Sequence, residues 1–305
     1  MIVNGKSRDI SSIDKESKLF VLQRNLLDSF LSEIPLPDNV CGFVKGKSYL
    51  DFLKPHCKKK YYLRLDIKDF FNTIKVSAVK EVLKEYIQVP DELKKRQILN
   101  VISYIVTFNR RLPQGAVTSP QISNIIFRRL DIRIRNYCRK FDINYTRYAD
   151  DILFSSNSEF LHKDSFYKMI FKILSTYDFR INKKKVLKSE NRIVLNGYVI
   201  SDKISLSRKK LSSINRLIYA FENYNGKKKY PKTFEEFEQR LNVNKNLNGI
   251  LISPNSWIET INYLAGYRAY LMSFSKERYK DICHDYSNKI KKIEMMLDKI
   301  VGYKI

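Results

Sequence analysis

Apolar positions along this chain recur at helical spacing, then in short compact runs, then at helical spacing to the end. Residues 1–18 are polar, basic and turn-rich, and residues 19–34 read as a helix. Residues 61–65 form a short run suited to a buried strand, leading into Asp66. Ser77 is an N-cap candidate for a helix to residue 86, a second helix covers 91–108, and a third runs over 118–139. Two apolar runs between 143 and 155 flank residues 148–151, the pattern of a hairpin with an acidic pair at its turn. Phe166, Met169, Ile170, Ile173, Leu174 and Tyr177 recur at helical spacing and predict an amphipathic helix. Strands are expected at 179–181, 193–200 and 203–206. From Ser207 the pattern is helical, broken by a basic loop at 226–232 (a candidate lobe boundary) and a second loop at 242–254. Helices over 257–274 and 276–300 finish the chain. The expectation is an α+β core over residues 1–206 and a helical lobe over 207–305.

Composition narrows what such a chain binds. With 57 Lys plus Arg against 32 Asp plus Glu, the net charge of +25 points to a polyanion, nucleic acid before anionic membrane. At 44% hydrophobic the chain has enough apolar material for a real core. It has no apolar run of the ~18 residues that a spanning helix needs, and residues 1–14 lack the apolar stretch of a signal peptide. Cys41, Cys57, Cys138 and Cys283 form no CxxC pair, and His56, His162 and His284 are dispersed. Zinc and a disulfide framework are therefore not expected, and a reducing cytoplasm fits.

The residues with chemistry are carboxylates. Asp66 ends an apolar strand, and Asp150 and Asp151 sit together at a hairpin turn. Two like charges in an apolar hairpin are costly unless a cation neutralises them. Magnesium takes hard oxygen ligands, so carboxylates converging from separate strands suit it. Alone, an Asp-Asp turn is more often a solvated turn.

The pair is not alone. Leu65-Asp-Ile-Lys-Asp-Phe-Phe-Asn-Thr-Ile74 resembles motif A of reverse transcriptases. Leu112-Pro-Gln-Gly-Ala-Val-Thr-Ser-Pro120, followed by Asn124, resembles motif B, and Tyr145-Thr-Arg-Tyr-Ala-Asp-Asp151 is similar to motif C. Ile181-Asn-Lys-Lys-Lys185 and Leu195-Asn-Gly197 resemble motifs D and E. The order and spacing are the family's. Gly42-Phe-Val-Lys-Gly46 with Ser48, and Pro55-His56, fit the bacterial retron-type branch, which includes retron, abortive-infection and defence-associated enzymes.

The resemblance implies a right-hand polymerase: fingers, a palm with a small antiparallel sheet, and a helical thumb. It makes Asp66, Asp150 and Asp151 ligands of two Mg2+ ions, with Mn2+ as a substitute and Asp151 the lesser contributor. Ile67 and Lys68 would touch the triphosphate, Asp69 would shape the sugar pocket, and Phe71 would be the gate against a 2′-hydroxyl, with Phe70 in the core. Gln114 and Gly115 would lie under the incoming nucleotide, and Ser119, Pro120 and Asn124 would support the template. Lys185 would serve as general acid at the pyrophosphate. Lys6 and Arg8 would grip the triphosphate. In the thumb, Trp257, Ile261, Leu264 and Leu271 would be buried, and Gly197, Tyr267 and Arg268 would face the duplex.

The implied reaction is RNA-directed DNA synthesis from deoxynucleoside triphosphates on a dedicated noncoding RNA, through an RNA/DNA duplex, in bacterial antiviral defence and without a membrane. The alternatives are a template-independent or protein-primed polymerase and a non-catalytic RNA-binding scaffold. Phe52-Leu53 and Leu195-Asn-Gly197 stand where retron enzymes carry Asn-Ala and Val-Thr-Gly. These departures point to a related defence-associated enzyme with a different RNA. No RNase H, endonuclease, integrase or maturase segment is expected after the thumb. The short fingers leave room for an RNA, an effector or a second protein subunit to complete them.

Overall fold

The structure is a computed structural model, and it describes residues 2–3, 6–7, 11, 13–224, 227–243, 257–274 and 280–301. The chain forms two compact units, Met1–Leu195 with Val199–Ser205, and Asn196–Tyr198 with Leu206–Ile305. No helix among the described residues is long and apolar enough to cross a membrane.

The first unit mixes helix and sheet. It opens with a short antiparallel pair, β1 (Ile2–Val3) and β2 (Lys6–Ser7), then α1 (Lys18–Ser29), which Ser17 caps through the Phe20 amide. Next come α2 (Tyr49–Leu53), β3 (Tyr61–Lys68), α3 (Phe70–Thr73), α4 (Val76–Leu83), α5 (Glu92–Val106) and α6 (Ser119–Arg139). Then follow β4 (Asn144–Tyr148), β5 (Asp151–Ser156), α7 (Asp164–Ser175), β6 (Arg180–Ile181) and β7 (Leu187–Glu190). A three-stranded sheet in the order β10–β9–β8 is built from β8 (Ile193–Leu195), β9 (Tyr198–Ile200) and β10 (Ile204–Leu206).

Strand β3 is the centre of the main sheet. It pairs antiparallel with β5 along one edge and with β7 and β6 along the other, while β4 pairs with β5. A strand covered on both faces reads as a continuous apolar run rather than an alternation. Tyr62, Leu63, Leu65 and Ile67 are accordingly all buried. Helix α7 packs beside the sheet through Phe166, Ile170, Ile173 and Leu174, which share one face at 3.6-residue periodicity. The buried length of α6, including Ile122, Ile126, Phe127, Leu130 and Ile134, belongs to the same core.

The second unit holds α8 (Arg208–Glu222), a small pair β11 (Asn223–Tyr224) and β12 (Lys227–Lys228), α9 (Phe234–Val243), α10 (Trp257–Phe274) and α11 (Lys280–Val301). Phe221, Phe237, Leu264, Leu271, Ile290 and Leu297 form its interior. Tyr267 is buried there, and its hydroxyl donates to the Lys210 carbonyl at 2.7 Å.

Several local expectations are corrected. Helix α4 starts at Val76, not beyond Ser77, because Lys75 is bridged to Arg111 and Val76 donates to the Arg110 carbonyl. The single strand expected over 193–200 is two strands, broken where Asn196 and Gly197 take positive φ. The expected helical lobe contains the β11–β12 pair. Strand β7 was not expected, since its side chains are mostly exposed and carry no apolar pattern. Most of the 242–254 loop lies outside the described residues.

Candidate active site

Strand β3 delivers Asp66 to the end of the sheet, directly opposite Asp151 in the β3–β5 register. Cross-strand partners project from the same face, so the two carboxylates are neighbours. The β4–β5 hairpin closes through Ala149 and Asp150, with Tyr148 paired to Asp151. Ala149 has φ +55 and Asp150 is not in the positive region, the φ signature of a type II′ turn. That first turn position favours glycine, so the alanine is held there by its surroundings. The Asp150 carbonyl accepts from the Ile67 amide at 2.9 Å, which ties the turn to β3.

Those surroundings centre on Arg147, which is fully buried. Its Nε and Nη2 donate to the two oxygens of buried Asp131 at 2.9 and 2.7 Å. Its Nη1 donates to Asn124 Oδ1 and to the Ala149 carbonyl, each at 3.1 Å. The guanidinium lies 4.4 Å from the Phe127 ring centroid. Asn124 Nδ2 donates in turn to the Gly42 carbonyl at 2.9 Å. A Cβ on Gly42 would stand 2.4 Å from the Ala149 amide nitrogen, so only glycine lets the two backbones approach this closely.

Asp66, Asp150 and Lys185 line one pocket of about 490 Å³ together with Ile67, Lys68, Asp69, Phe70, Phe71 and Gln114. Asp69 takes φ +49 and turns the chain from β3 into α3. That turn sends Phe70 into the core and leaves Phe71 partly exposed. The Lys185 ammonium stands 2.5 Å from Asp66 Oδ2, and Asn182 Nδ2 donates to Asp66 Oδ1 at 3.2 Å. Asp151 is engaged differently. Arg64, two residues before Asp66 on the same face, donates to Oδ1 from Nε and Nη2 at 3.0 and 2.7 Å, and to Oδ2 from Nη2 at 2.9 Å.

Burial, reinforced by the charges of Asp151 and Asp66, pushes the Asp150 carboxyl above the usual range, and Lys185 offsets part of this. Burial likewise raises Asp151, opposed first by Arg64 and helped by Asp66. Three carboxylates, Asp66, Asp150 and Asp151, thus meet two cations, Arg64 and Lys185. Hard oxygen donors with an excess of negative charge fit a divalent cation such as Mg2+. Among the described residues no three His, Cys, Asp or Glu side chains form a ready-made cage. Lys185 rests against Asp66, and Arg64 holds Asp151.

Other expected site residues fall elsewhere. Asn124 is wholly buried with both ends of its amide engaged, so it braces the turn rather than touching a template strand. Ser119 is also buried, while Pro120 is partly exposed at the start of α6. Gly115 takes φ +114 beside Gln114 and is exposed. In the second unit Tyr267 is an interior residue, not a duplex-facing one, and Arg268 pairs with Glu294 at 3.2 Å. Gly197 takes φ +87, and a Cβ there would meet the Lys210 side chain at 2.7 Å. Lys6 lies in β2, with its side chain outside the described residues, and Arg8 and the Trp257 side chain lie outside them too.

Arg64, Asp131 and Arg147 were not singled out from the sequence. Arg64 was within reach, since period two puts it on the face of Asp66. Asp131 lies two helical turns beyond Asn124, on the same face of α6.

Residues 4–214 match the family described as reverse transcriptase (RNA-dependent DNA polymerase), and the chain belongs to that family. It is 33% identical over 201 residues to the retron Ec86 reverse transcriptase of Escherichia coli, covering 64% of this chain and 59% of the relative. It is 29% identical over 216 residues to the retron Ec83 enzyme of Escherichia coli, covering 66% and 68%. With the retron Ec73 enzyme of the same organism it shares 28% identity over 300 residues, covering 93% and 85%. These relatives make it a retron-type reverse transcriptase, an RNA-directed DNA polymerase and so a nucleotidyltransferase. The departures at Phe52-Leu53 and Leu195-Asn-Gly197 coexist with this likeness. Phe52 and Leu53 are fully buried, and the Phe52 carbonyl accepts from Thr146 Oγ1 in β4.

Proposed function

We propose that the 490 Å³ pocket is the polymerisation site, with residues 1–206 acting as fingers and palm and 207–305 as thumb. The observation that carries this reading is the convergence of Asp66 and Asp150 on one pocket that Phe71 also lines. Asp66 and Asp150 would hold Mg2+, with Asp151, tied to Arg64, contributing less. Bound there, the cations supply charge neutralisation for the triphosphate and activation of the primer hydroxyl.

The protein's own groups do the rest. The backbone at Ile67 and Lys68 and the Asp69 turn receive the triphosphate and sugar. The Phe71 ring occupies the space a ribose 2′-hydroxyl would need, which selects deoxynucleotides. Gln114 supports the nucleotide from the motif B side. Lys185, which stands beside Asp66, would give a proton to the departing pyrophosphate. The primer hydroxyl attacks the α-phosphate in line, the new phosphodiester forms and pyrophosphate leaves.

Kinship to retron enzymes supports a further reading: the template is a dedicated noncoding RNA, copied in the cytoplasm in service of antiviral defence. Deoxynucleotide incorporation on a primed RNA template, by the wild type and by Asp150→Asn, tests the polymerase reading. Incorporation by the wild type alone is expected. Sequencing the nucleic acid that copurifies identifies the template, and plaque counts with and without Asp150→Asn test defence. Template-free incorporation would favour untemplated extension instead.

A further inference from the structure

Phe43 has no role in the reaction as derived above, yet its placement is unusual. It is a non-glycine residue at φ +61, and 46% of its surface is exposed. Large apolar side chains rarely hold that backbone, and where they do the surroundings impose it. Here the imposition comes from the catalytic turn. Gly42 is pressed against Ala149, and its carbonyl is held by Asn124, so the backbone entering Phe43 is fixed relative to Asp150.

The ring that results stands at a junction. It lines the pocket of Asp66 and Asp150, and it also lines a second, larger groove of about 790 Å³ walled by Pro35, Leu36, Val117 and Pro120. Its centroid is 6.2 Å from that of Phe71. Rings so close leave no gap for a base between them, so Phe71 backs Phe43 on the pocket side. An exposed, backed aromatic is a stacking platform for an unpaired base, which every base can use because each has a π-face. Lys45, Lys47, Asp28, Glu33 and Asp38 also line this groove, so its walls are mixed, and Leu36, Val117 and Pro120 supply the apolar surface on which the flat face of a base can rest.

We propose that Phe43 is a positioning residue for the template: the first unpaired template base stacks on its ring at the mouth of the second groove. The strand then enters the catalytic pocket with its next base already oriented. This rests on the polymerase reading of the pocket.

The test places 5-iodouridine at the first unpaired position of a primed RNA template and irradiates the complex with the full-length protein. Mass spectrometry then locates the cross-link. The wild type is expected to cross-link at Phe43. Phe43→Trp should keep the cross-link, and Phe43→Leu should lose it while still binding the primed template. In steady state Phe43→Leu should lower kcat/KM for deoxynucleotide by about tenfold, the order of one lost stacking contact, with Phe43→Trp restoring most of it. A wild type that incorporates nucleotide but cross-links elsewhere overturns this proposal alone. Equal kcat/KM in Phe43→Leu and wild type also overturns it alone. A wild type that neither incorporates nor cross-links overturns the polymerase reading, and this one with it.

Discussion

The Lys185 ammonium and the Asp66 carboxylate are in direct contact, at 2.5 Å, inside the pocket that also holds Asp150. A cation bound by Asp66 must share that carboxylate with Lys185. Replacing Lys185 by Met should therefore tighten Mn2+ binding, read by electron paramagnetic resonance, while incorporation falls about 10²-fold through loss of the proton donor. Weaker Mn2+ binding in that variant would mean that Lys185 organises the site instead of competing for it.

Arg64 opposes the rise of the Asp151 carboxyl. Without it, burial and the Asp66 charge act unchecked, and Asp151 ionises only at higher pH. In Arg64→Met the acid limb of the kcat–pH profile should move to higher pH, and activity should recover on the alkaline side. An unmoved limb would show that Asp151 need not be ionised for turnover.

The Arg147–Asp131 pair is wholly buried, with each charge satisfied by the other. Removing one partner strands the other in a low-dielectric interior, at a cost of about 3–5 kcal/mol. Arg147→Met alone and Asp131→Leu alone should each destabilise by that order in urea titrations. The double variant should recover a large part of the loss. It should nevertheless turn over slowly, because the Ala149 carbonyl has lost its donor. Full activity in a stable double variant would refute the bracing role.

His56 is fully buried between two hydroxyls. Thr146 Oγ1 donates to the Phe52 carbonyl, so it accepts from Nε2–H, and Ser155 Oγ donates to Nδ1, each at 2.7 Å from the ring. Burial, with a smaller push from Lys59, depresses the imidazole from 6.5 to about 3. Above pH 6.5 the ring is neutral in both folded and unfolded chains and adds no pH dependence. Below it the unfolded chain takes a proton that the folded one refuses. Stability should then fall by about 1.4 kcal/mol per pH unit from this group, down to about pH 3. Denaturant titrations between pH 5.5 and 4 should approach that slope in the wild type and lose this contribution in His56→Gln.

Much of this was legible in the sequence where a residue's environment follows from its neighbours in the chain. The apolar run into Asp66, the hairpin before Asp151 and the amphipathic α7 all follow from local periodicity, and the acidic pair from its place at the turn. The expectations that failed depend on distant partners. Asn124 and Tyr267 are polar or amphipathic residues whose exposure was decided by groups far along the chain, Gly42 and Arg147 for one, Lys210 for the other. Arg147 went unread for the same reason. An arginine among tyrosines looks like a phosphate contact until Asp131 is placed beside it.

The central position of β3 has a consequence during synthesis. Arg64 waits for Asp151, 87 residues further on, and Asp66 for Lys185, 119 residues further on. At ~5–20 residues per second, a ribosome needs roughly 6–24 s to deliver the later partner. Until β5 is made both edges of this apolar strand are open, and until β6 and β7 follow one still is, available to other chains or to a chaperone. The yield of working enzyme in a cell then depends on what meets this strand in those seconds, as well as on how stable the finished protein is.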